Sequence, residues 1–558
     1  MTQPKMPRAE ALAMCTAVGE PCELATVDVN GTPQRVFANA PTSLRVMYER
    51  AVTDLPFIVY EDERLTFRDA WQSTAEIATM LVANYGIEPG DRVAIAMRNY
   101  PEWMTSFAAI TSIGAIAVAM NAMWNTDEME YGLRDCGAKV LIADEERVAR
   151  CVAMTDREAV AVIAVRPRTD RADVPELSAL VEPYRGAGMP EVSIAADDAA
   201  TMFYTSGSTG YPKGVLSTHR NIISALMSWE LDARIGRRVN AIPAIRPDGQ
   251  AAALLGIPLF HVTGSHAVFL QSYRAQRKLV AMYKWDPEVA AEIIERERIT
   301  AFLAPPALTG DLVRVARSTN RDLSSLIAVG GGGAARAPEQ VEQIGKSFGR
   351  ALPNTGWGMT ETNAIGAGIS EHDYLNRPAS SGRCSAVLEL RIIDEDGSTL
   401  PAGARGELLV RGTSIFREYW NRPEANTESF IDGWFRTGDV AYLDDEGFLF
   451  IVDRIKDLII RGGENIGTGA VEAALLQHPM VHEAAVYSVP DDRLGEEVGA
   501  TVHADPALDA ETLREFVRPM LAVFAVPKYL TLLSEPLPRT ASGKIFKREL
   551  REVAIAQL

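Results

Sequence analysis

Residues 204–221 read YTSGSTGYPKGVLSTHRN. Glycines and small hydroxyl residues fill the first half, and one cation, Lys213, stands near its end. That composition suits a phosphate cradle. Backbone N–H groups and hydroxyls can approach the oxygens closely, and the ammonium neutralises charge. Two common phosphate loops do not fit. The GxxxxGK[ST] loop requires Gly directly before Lys, whereas Pro212 precedes Lys213 and Gly214 follows it. The GxGxxG loop lacks its third glycine in register here, and also in VGGGGAAR (329–336) and TGWGMTE (355–361). A Gly/Ser linker is the plain alternative for the segment taken alone.

The rest of the chain sets bounds. Its 558 residues exceed one hydrophobic core, and at roughly 150 residues per domain three or four units are expected. The formal net charge of −18 argues against a nucleic-acid or anionic-membrane surface, which needs clustered Lys and Arg. Cys15, Cys22, Cys136, Cys151 and Cys384 are scattered with no CxxC spacing, so reduced thiols in a cytoplasmic protein are expected. The histidines show no HExxH spacing, so no structural zinc is expected. The first fifteen residues lack a secretory apolar core. The apolar stretch 106–124 holds Ser, Thr, Gly and Asn and reads as a buried helix feeding a buried strand, not a transmembrane segment. Oligomeric state is unreadable, and a homo-oligomer stays open.

Apolar bursts alternate with helical patterns: DRVAIAM (91–97) before PEWMTSFAAITSIG, KVLIAD (139–144) before EERVARCVAM, and RITAFLAPPALTGDLVRVAR. This alternation predicts an α/β architecture with much parallel sheet. Between about 388 and 450 short strand-like runs and turn signals dominate, which predicts a small β-rich subdomain. A compact α+β pattern closes the chain. The expected division is an N-terminal domain, 1–453, and a small C-terminal domain, 454–558, which the family resemblance described next makes a mobile lid.

Eight motifs occur in a fixed order: TSGSTGYPKG (205–214), PLFHVTG (258–264), GGGGAA (330–335), GWGMTET (356–362), GARGELLVRG (403–412), GWFRTGDV (433–440), DRIKDLIIRGGENI (453–466) and PRTASGK (538–544). Over nearly its whole length the chain thereby resembles the adenylate-forming superfamily of acyl-CoA synthetases and AMP-binding enzymes. The resemblance implies a carboxylate–CoA ligase. ATP converts a carboxylic acid to acyl-AMP with loss of pyrophosphate, and CoA then takes the acyl group. A carboxylate is a poor electrophile, so two anions must be brought together and neutralised.

The same resemblance implies the roles. Thr205, Ser206, Gly207, Ser208, Thr209, Gly210 and Lys213 would cover the β- and γ-phosphates. Glu361 would hold Mg2+ with support from Thr205, and Thr360 would touch the α-phosphate. Gly356 and Trp357 would form the adenine wall, with Trp357 stacking on the base or serving as a plain core tryptophan. Asp439 and Arg454 would take the ribose, and Gly463 belongs to the same nucleotide-side motif. Lys544 would bridge carboxylate and phosphate oxygens. His261 would lie near the reacting carboxylate or sit satisfied in the core, and His266 is given no role. Lys456 would be the hinge.

FHVTGSH, LAPPA, VGGGGAA and NTGWG would line the substrate pocket, with Gly332 or Gly333 facing an uncharged fatty or aryl tail. No Asp occurs in those segments to hold an ammonium. Relatives often carry Glu where Ala470 stands, and Gly467 and Thr468 also depart from the usual pattern, which bears on the thiol-accepting half of the reaction. Transfer to a carrier-protein pantetheine and a luciferase-like oxygenation are the alternatives on the same fold. A non-catalytic nucleotide-binding regulator is the alternative of another class, against which Lys544 and Glu361 speak.

Overall fold

The computed structural model describes residues 6–557 except 30, 155–159, 170–172, 206–211, 240–246, 248, 334, 335, 337, 463, 541 and 542. Continuous apolar runs build its first layer. Arg92–Ala96, Ile116–Ala119 and Val140–Asp144 are buried along almost their whole length. They pair in parallel, flanked by Ala161–Val165 and Ala199–Thr205. Such runs show no alternation because both faces of the sheet are covered. Helix Pro101–Ser112 is buried and feeds Ile116–Ala119, as its sequence requires. Local chemistry sets the helix ends. Thr66 and Asp69 cap Phe67–Tyr85 reciprocally, and Asn125 and Glu128 do the same for Thr126–Cys136.

A second sheet has fourteen strands among the described residues. Its parallel part includes Ala252–Leu255, Ala301–Leu303, Ala328–Gly332 and Leu352–Trp357. Ala367–Ser370 then pairs antiparallel with Leu352–Trp357, and Gly382–Cys384 links it to Phe448–Arg454. The stretch 388–450 is strand-rich, as its texture requires. It is nevertheless the antiparallel wing of this sheet and not a separate one, because Gly382–Cys384 pairs with Phe448–Arg454 across a long sequence separation. Local texture carries no information about that pairing.

The last hundred residues form a third sheet, with Val481–Asp491 and Gly495–Ala504 as its long central pair. Ile459, Val471, Leu475, Val486, Val498 and Leu513 give it a core of its own. A body with its own core can move as a unit. Strand Phe448–Arg454 runs across the 453/454 division, and the first strand of the small sheet is Ile459–Arg461. Among the described residues no helix is long and apolar enough to cross a membrane. The five cysteines are free thiols.

Candidate active site

The strands around the opening motif place its ends. Ala199–Thr205 runs into it and Lys213–Thr218 runs back antiparallel, with Lys213 opposite Thr205. Ser206, Gly207, Ser208, Thr209 and Gly210 lie outside the described residues, as does Gly463. The Lys213 ammonium sits over the ring of Tyr419, 4.6 Å from its centroid. The Tyr419 hydroxyl donates to Glu361 Oε1 at 2.8 Å, and the Phe416 N–H donates to the Glu361 carbonyl. Lys213 and Glu361 thus share one aromatic platform. Burial pushes the Glu361 carboxyl up, and the Tyr419 hydrogen bond opposes this.

Thr360 and Glu361 occupy a short 3-10 turn, Thr360–Thr362, directly after strand Leu352–Trp357. Asn363 and Ala364 follow with φ of 56° and 65°, a left-handed corner that Asn tolerates and Ala rarely adopts. Asn363 is tied on both sides. Its Nδ2 donates to the Ser414 carbonyl at 2.9 Å, which leaves Oδ1 to face His266 Nε2 at 3.2 Å. His266 therefore carries its proton on Nε2 and accepts from Ser265 at Nδ1. Burial holds its pKa down to about 3, so the ring is neutral. The histidine to which the sequence assigns no role is the support of this corner.

Strand register brings Asp439 and Arg454 together. Asp439 stands opposite Arg454 in the pair of strands Trp434–Leu443 and Phe448–Arg454. Arg454 Nε lies 2.9 Å from Asp439 Oδ1, and Trp357 Nε1 donates to Asp439 Oδ2 at 2.7 Å. Each oxygen keeps a further lone pair for a ligand hydroxyl. Burial raises the Asp439 carboxyl, and Arg454 is the largest opposing influence. The Trp357 ring covers Gly366, where a Cβ would come within 2.3 Å of it.

Gly331, Gly332 and Gly333 line the cleft, but most Cβ directions in the glycine run point onto neighbouring backbone. A Cβ on Gly330 would meet the Asn354 carbonyl oxygen at 2.1 Å, and one on Gly332 would meet the Gly356 carbonyl oxygen at 2.5 Å. These glycines allow neighbouring strands to approach. Gly333, at φ +91°, lies under Lys544, whose Cε is 3.5 Å from the Cβ position. The apolar lining comes from elsewhere. Helix His219–Val239 and the helical segment Thr263–Leu270 border the cleft and contribute Trp229, Ala233 and Ala267, beside Val262. An ion pair lies there too: Asp232, on the same helix, binds Arg8 at 2.9 Å.

Lys544 comes from the small domain. The Thr540 N–H donates to the Lys544 carbonyl, and Arg539 bridges to Ile545, so the lysine rides on a tight loop. Its side chain keeps contact with solvent inside the cleft. Loss of surrounding water and the charge of Arg454 lower its pKa, while Asp439 and Glu361 push it up. His261 lines the same cleft. Burial, then the Lys544 charge, hold its pKa down to about 3, and its Nε2 is buried with no hydrogen-bond partner among the described residues. Such an orphaned atom in a cleft wall invites a ligand donor or acceptor. Lys456 is exposed in the 3-10 turn Ile455–Asp457.

In the unusual 467–470 segment, Thr468 is tied to residues on either side of it in sequence. Thr468 donates through its N–H and its hydroxyl to Asp453 Oδ2. Lys547 Nζ reaches the Thr468 hydroxyl at 3.2 Å and Glu472 at 2.7 Å. Glu472, two residues after Ala470, therefore supplies the carboxylate to the nearby lysine. Tyr419, Asn363 and Arg539 are further members of the site that the sequence reading passes over. Tyr419 and Asn363 lie outside the quoted motifs, and Arg539 lies in PRTASGK, where the motif does not signal its partners.

A model of the family described as "AMP-binding enzyme" matches residues 48–420, and one described as "AMP-binding enzyme C-terminal domain" matches 470–544. A feruloyl-CoA synthase from Amycolatopsis sp is 34% identical over 493 residues, 87% of this chain and 93% of the relative. The long-chain-fatty-acid–CoA ligase FadD13 of Mycobacterium tuberculosis (strain ATCC 25618 / H37Rv) is 32% identical over 500 residues, 88% and 93%. Among solved structures, the o-succinylbenzoate CoA synthetase MenE from Bacillus subtilis, in complex with its acyl-adenylate intermediate OSB-AMP, superposes with a TM-score of 0.77 at 28% identity, covering 92% of this chain and 98% of that one.

Proposed function

The chain belongs to the AMP-binding enzyme family, among its AMP-forming acid–CoA ligases, and from that premise we propose that it activates an apolar fatty or aryl carboxylic acid with ATP and transfers the acyl group to CoA. A carboxylate oxygen attacks the α-phosphorus, pyrophosphate leaves, and the acyl-AMP then loses AMP to the thiol of CoA. One observation carries this reading. Lys544 of the small domain enters the cleft between Gly333 and the charged groups Asp439, Glu361 and Arg454. There an ammonium can neutralise carboxylate and phosphate oxygens together.

The remaining roles complete this reading. Thr360 would donate its hydroxyl to the α-phosphate. Thr205 and Lys213, with Ser206, Gly207, Ser208, Thr209 and Gly210 between them, would hold the departing pyrophosphate. Gly356 and Trp357 would wall the adenine, and Asp439 with Arg454 would accept the ribose. His261, neutral and unpaired at Nε2, would meet the reacting carboxylate. Trp229, Ala233, Val262 and Ala267 favour an apolar tail.

Among the described residues no cluster of three or more His, Cys, Asp and Glu is placed to hold a metal. Mg2+ commonly rides on phosphates with one protein carboxylate, and Glu361, whose carboxyl burial alone leaves disfavoured as an anion, would take that part with Thr205 in support. The ion would neutralise phosphate charge. The reading is tested by acid-dependent pyrophosphate release with ATP over a panel of fatty, aryl and amino acids, followed by addition of CoA. Release with apolar acids and CoA-dependent thioester formation support it. No release with any acid refutes it.

A further inference from the structure

A charged bridge ties the loop that carries Lys544 to the large domain. Arg539 stands at the base of the loop, opposite Ile545 in a β-bridge. Its guanidinium has partners in both domains. On the small-domain side it donates to Glu483 Oε1, whose other oxygen accepts the Leu537 N–H at 2.7 Å. On the large-domain side Nη1 donates to Asp311 Oδ2 at 3.2 Å, and Nη2 lies 3.4 Å from Oδ1. Side-chain exposures are 20% for Arg539, 11% for Asp311 and 9% for Glu483, so water competes little for these charges.

Asp311 is itself held in place. Trp285 Nε1 donates to its Oδ2 at 3.0 Å, and the Trp285 ring stacks on Phe302 of the central sheet at 5.0 Å between centroids. Arg314 adds a contact to Oδ1 from the more exposed side. Leu308 precedes Asp311 by three residues on helix Pro306–Ser318 and shares its face. The loop lies against it: a Cβ on Gly543 would come within 2.5 Å of Leu308 Cδ1, and Gly543 has φ +79°. Glycine alone meets both demands there. One turn of one helix thus receives the loop at two points, Leu308 under Gly543 and Asp311 on Arg539.

We propose that Asp311 is a positioning residue for the acid-activating half-reaction, acting through Arg539 to hold the Lys544 loop in the cleft. This rests on the role given to Lys544 above. Asp311 belongs to the large domain, and Arg539 and Glu483 to the small one. Rotation of the small domain would separate Arg539 from Asp311 while Glu483 travels with it. The bridge is therefore specific to the orientation in which Lys544 is delivered, and it contributes nothing when the thiol is the reactant.

The test uses the full-length enzyme, an acid that the wild type activates, and the synthetic acyl-AMP of that acid. Asp311→Asn should lower acid-dependent pyrophosphate release about 10-fold or more and leave conversion of supplied acyl-AMP and CoA to thioester unchanged or faster. Arg539→Gln should show the same split, and the double variant should lose no more than the worse single one, because both act through one bridge. Thermal unfolding of each variant verifies folding. Equal loss of both half-reactions, an unchanged pyrophosphate rate, or losses that multiply in the double variant would overturn the proposal. If the wild type releases no pyrophosphate with any acid, the functional reading fails first and this inference falls with it. A wild type that does release it, beside an unaffected Asp311→Asn, sinks the bridge alone.

Discussion

Replacing Lys544 by Ala removes one ammonium from a cleft that holds Asp439, Glu361 and Arg454 near it. Among those groups the carboxylates then outnumber the guanidinium by one. A carboxylate substrate and the α-phosphate must still approach each other there, and negative charge still develops between them. Losing one such preorganised donor costs roughly 10²–10³ in rate, or about 2.7–4 kcal/mol at the transition state. Lys544 lies in the cleft lining and not in a domain core, so the folded protein loses little and the melting temperature should hardly move. The assay separates the half-reactions. Pyrophosphate release from ATP and acid should fall by the stated factor, whereas synthetic acyl-AMP and CoA should give thioester at near wild-type rate. The wild-type pyrophosphate rate should also decline with rising pH earlier than an ordinary lysine requires, because loss of water and Arg454 lower the Lys544 pKa and its charge is lost sooner. Equal loss of both half-reactions would refute the assigned role, as would retention of full pyrophosphate release.

Lys456→Pro fixes φ near −65° in the exposed turn Ile455–Asp457, and acyl-AMP should then form in a single turnover but accumulate without transfer to CoA; normal thioester output places the pivot elsewhere. Gly332→Ala should destabilise the protein by about 1–3 kcal/mol in denaturant titration, because its Cβ meets the Gly356 carbonyl oxygen at 2.5 Å; a stable variant with altered chain-length preference would return the glycine run to the tail pocket. Acid should destabilise the fold through His219 and His266, held down to about 4 and about 3 by burial from an ordinary 6.5. The unfolded chain binds these protons first, so stability is complete above about pH 6.5 and falls as pH drops toward the folded values, by roughly 2 kcal/mol per histidine at pH 5. A melting temperature that is flat between pH 7 and 5 contradicts this.

The ordered motifs of the sequence were enough to identify the family and its architecture of a large and a small domain. Their legibility has a physical cause. Phosphate and ribose recognition needs particular groups on particular turns, so the signal is written into short contiguous segments such as PRTASGK and RTGD. Parallel strands buried on both faces read equally plainly, as in VLIAD at 140–144. Other features depend on which segments meet. Trp357 reads as an adenine wall or a core residue, and only pairing across 82 positions ties its N–H to Asp439. The glycines at 330–333 read as room for a tail, yet the strands turn three of their Cβ directions onto neighbouring backbone. His266 gains its role from Asn363, 97 residues away. Asp311 and Arg539 are 228 residues apart, and each taken alone is an ordinary surface charge. Periodicity and motif spacing describe what a segment offers, whereas a hydrogen bond or an ion pair across a cleft exists only once the sheets have fixed both partners in space.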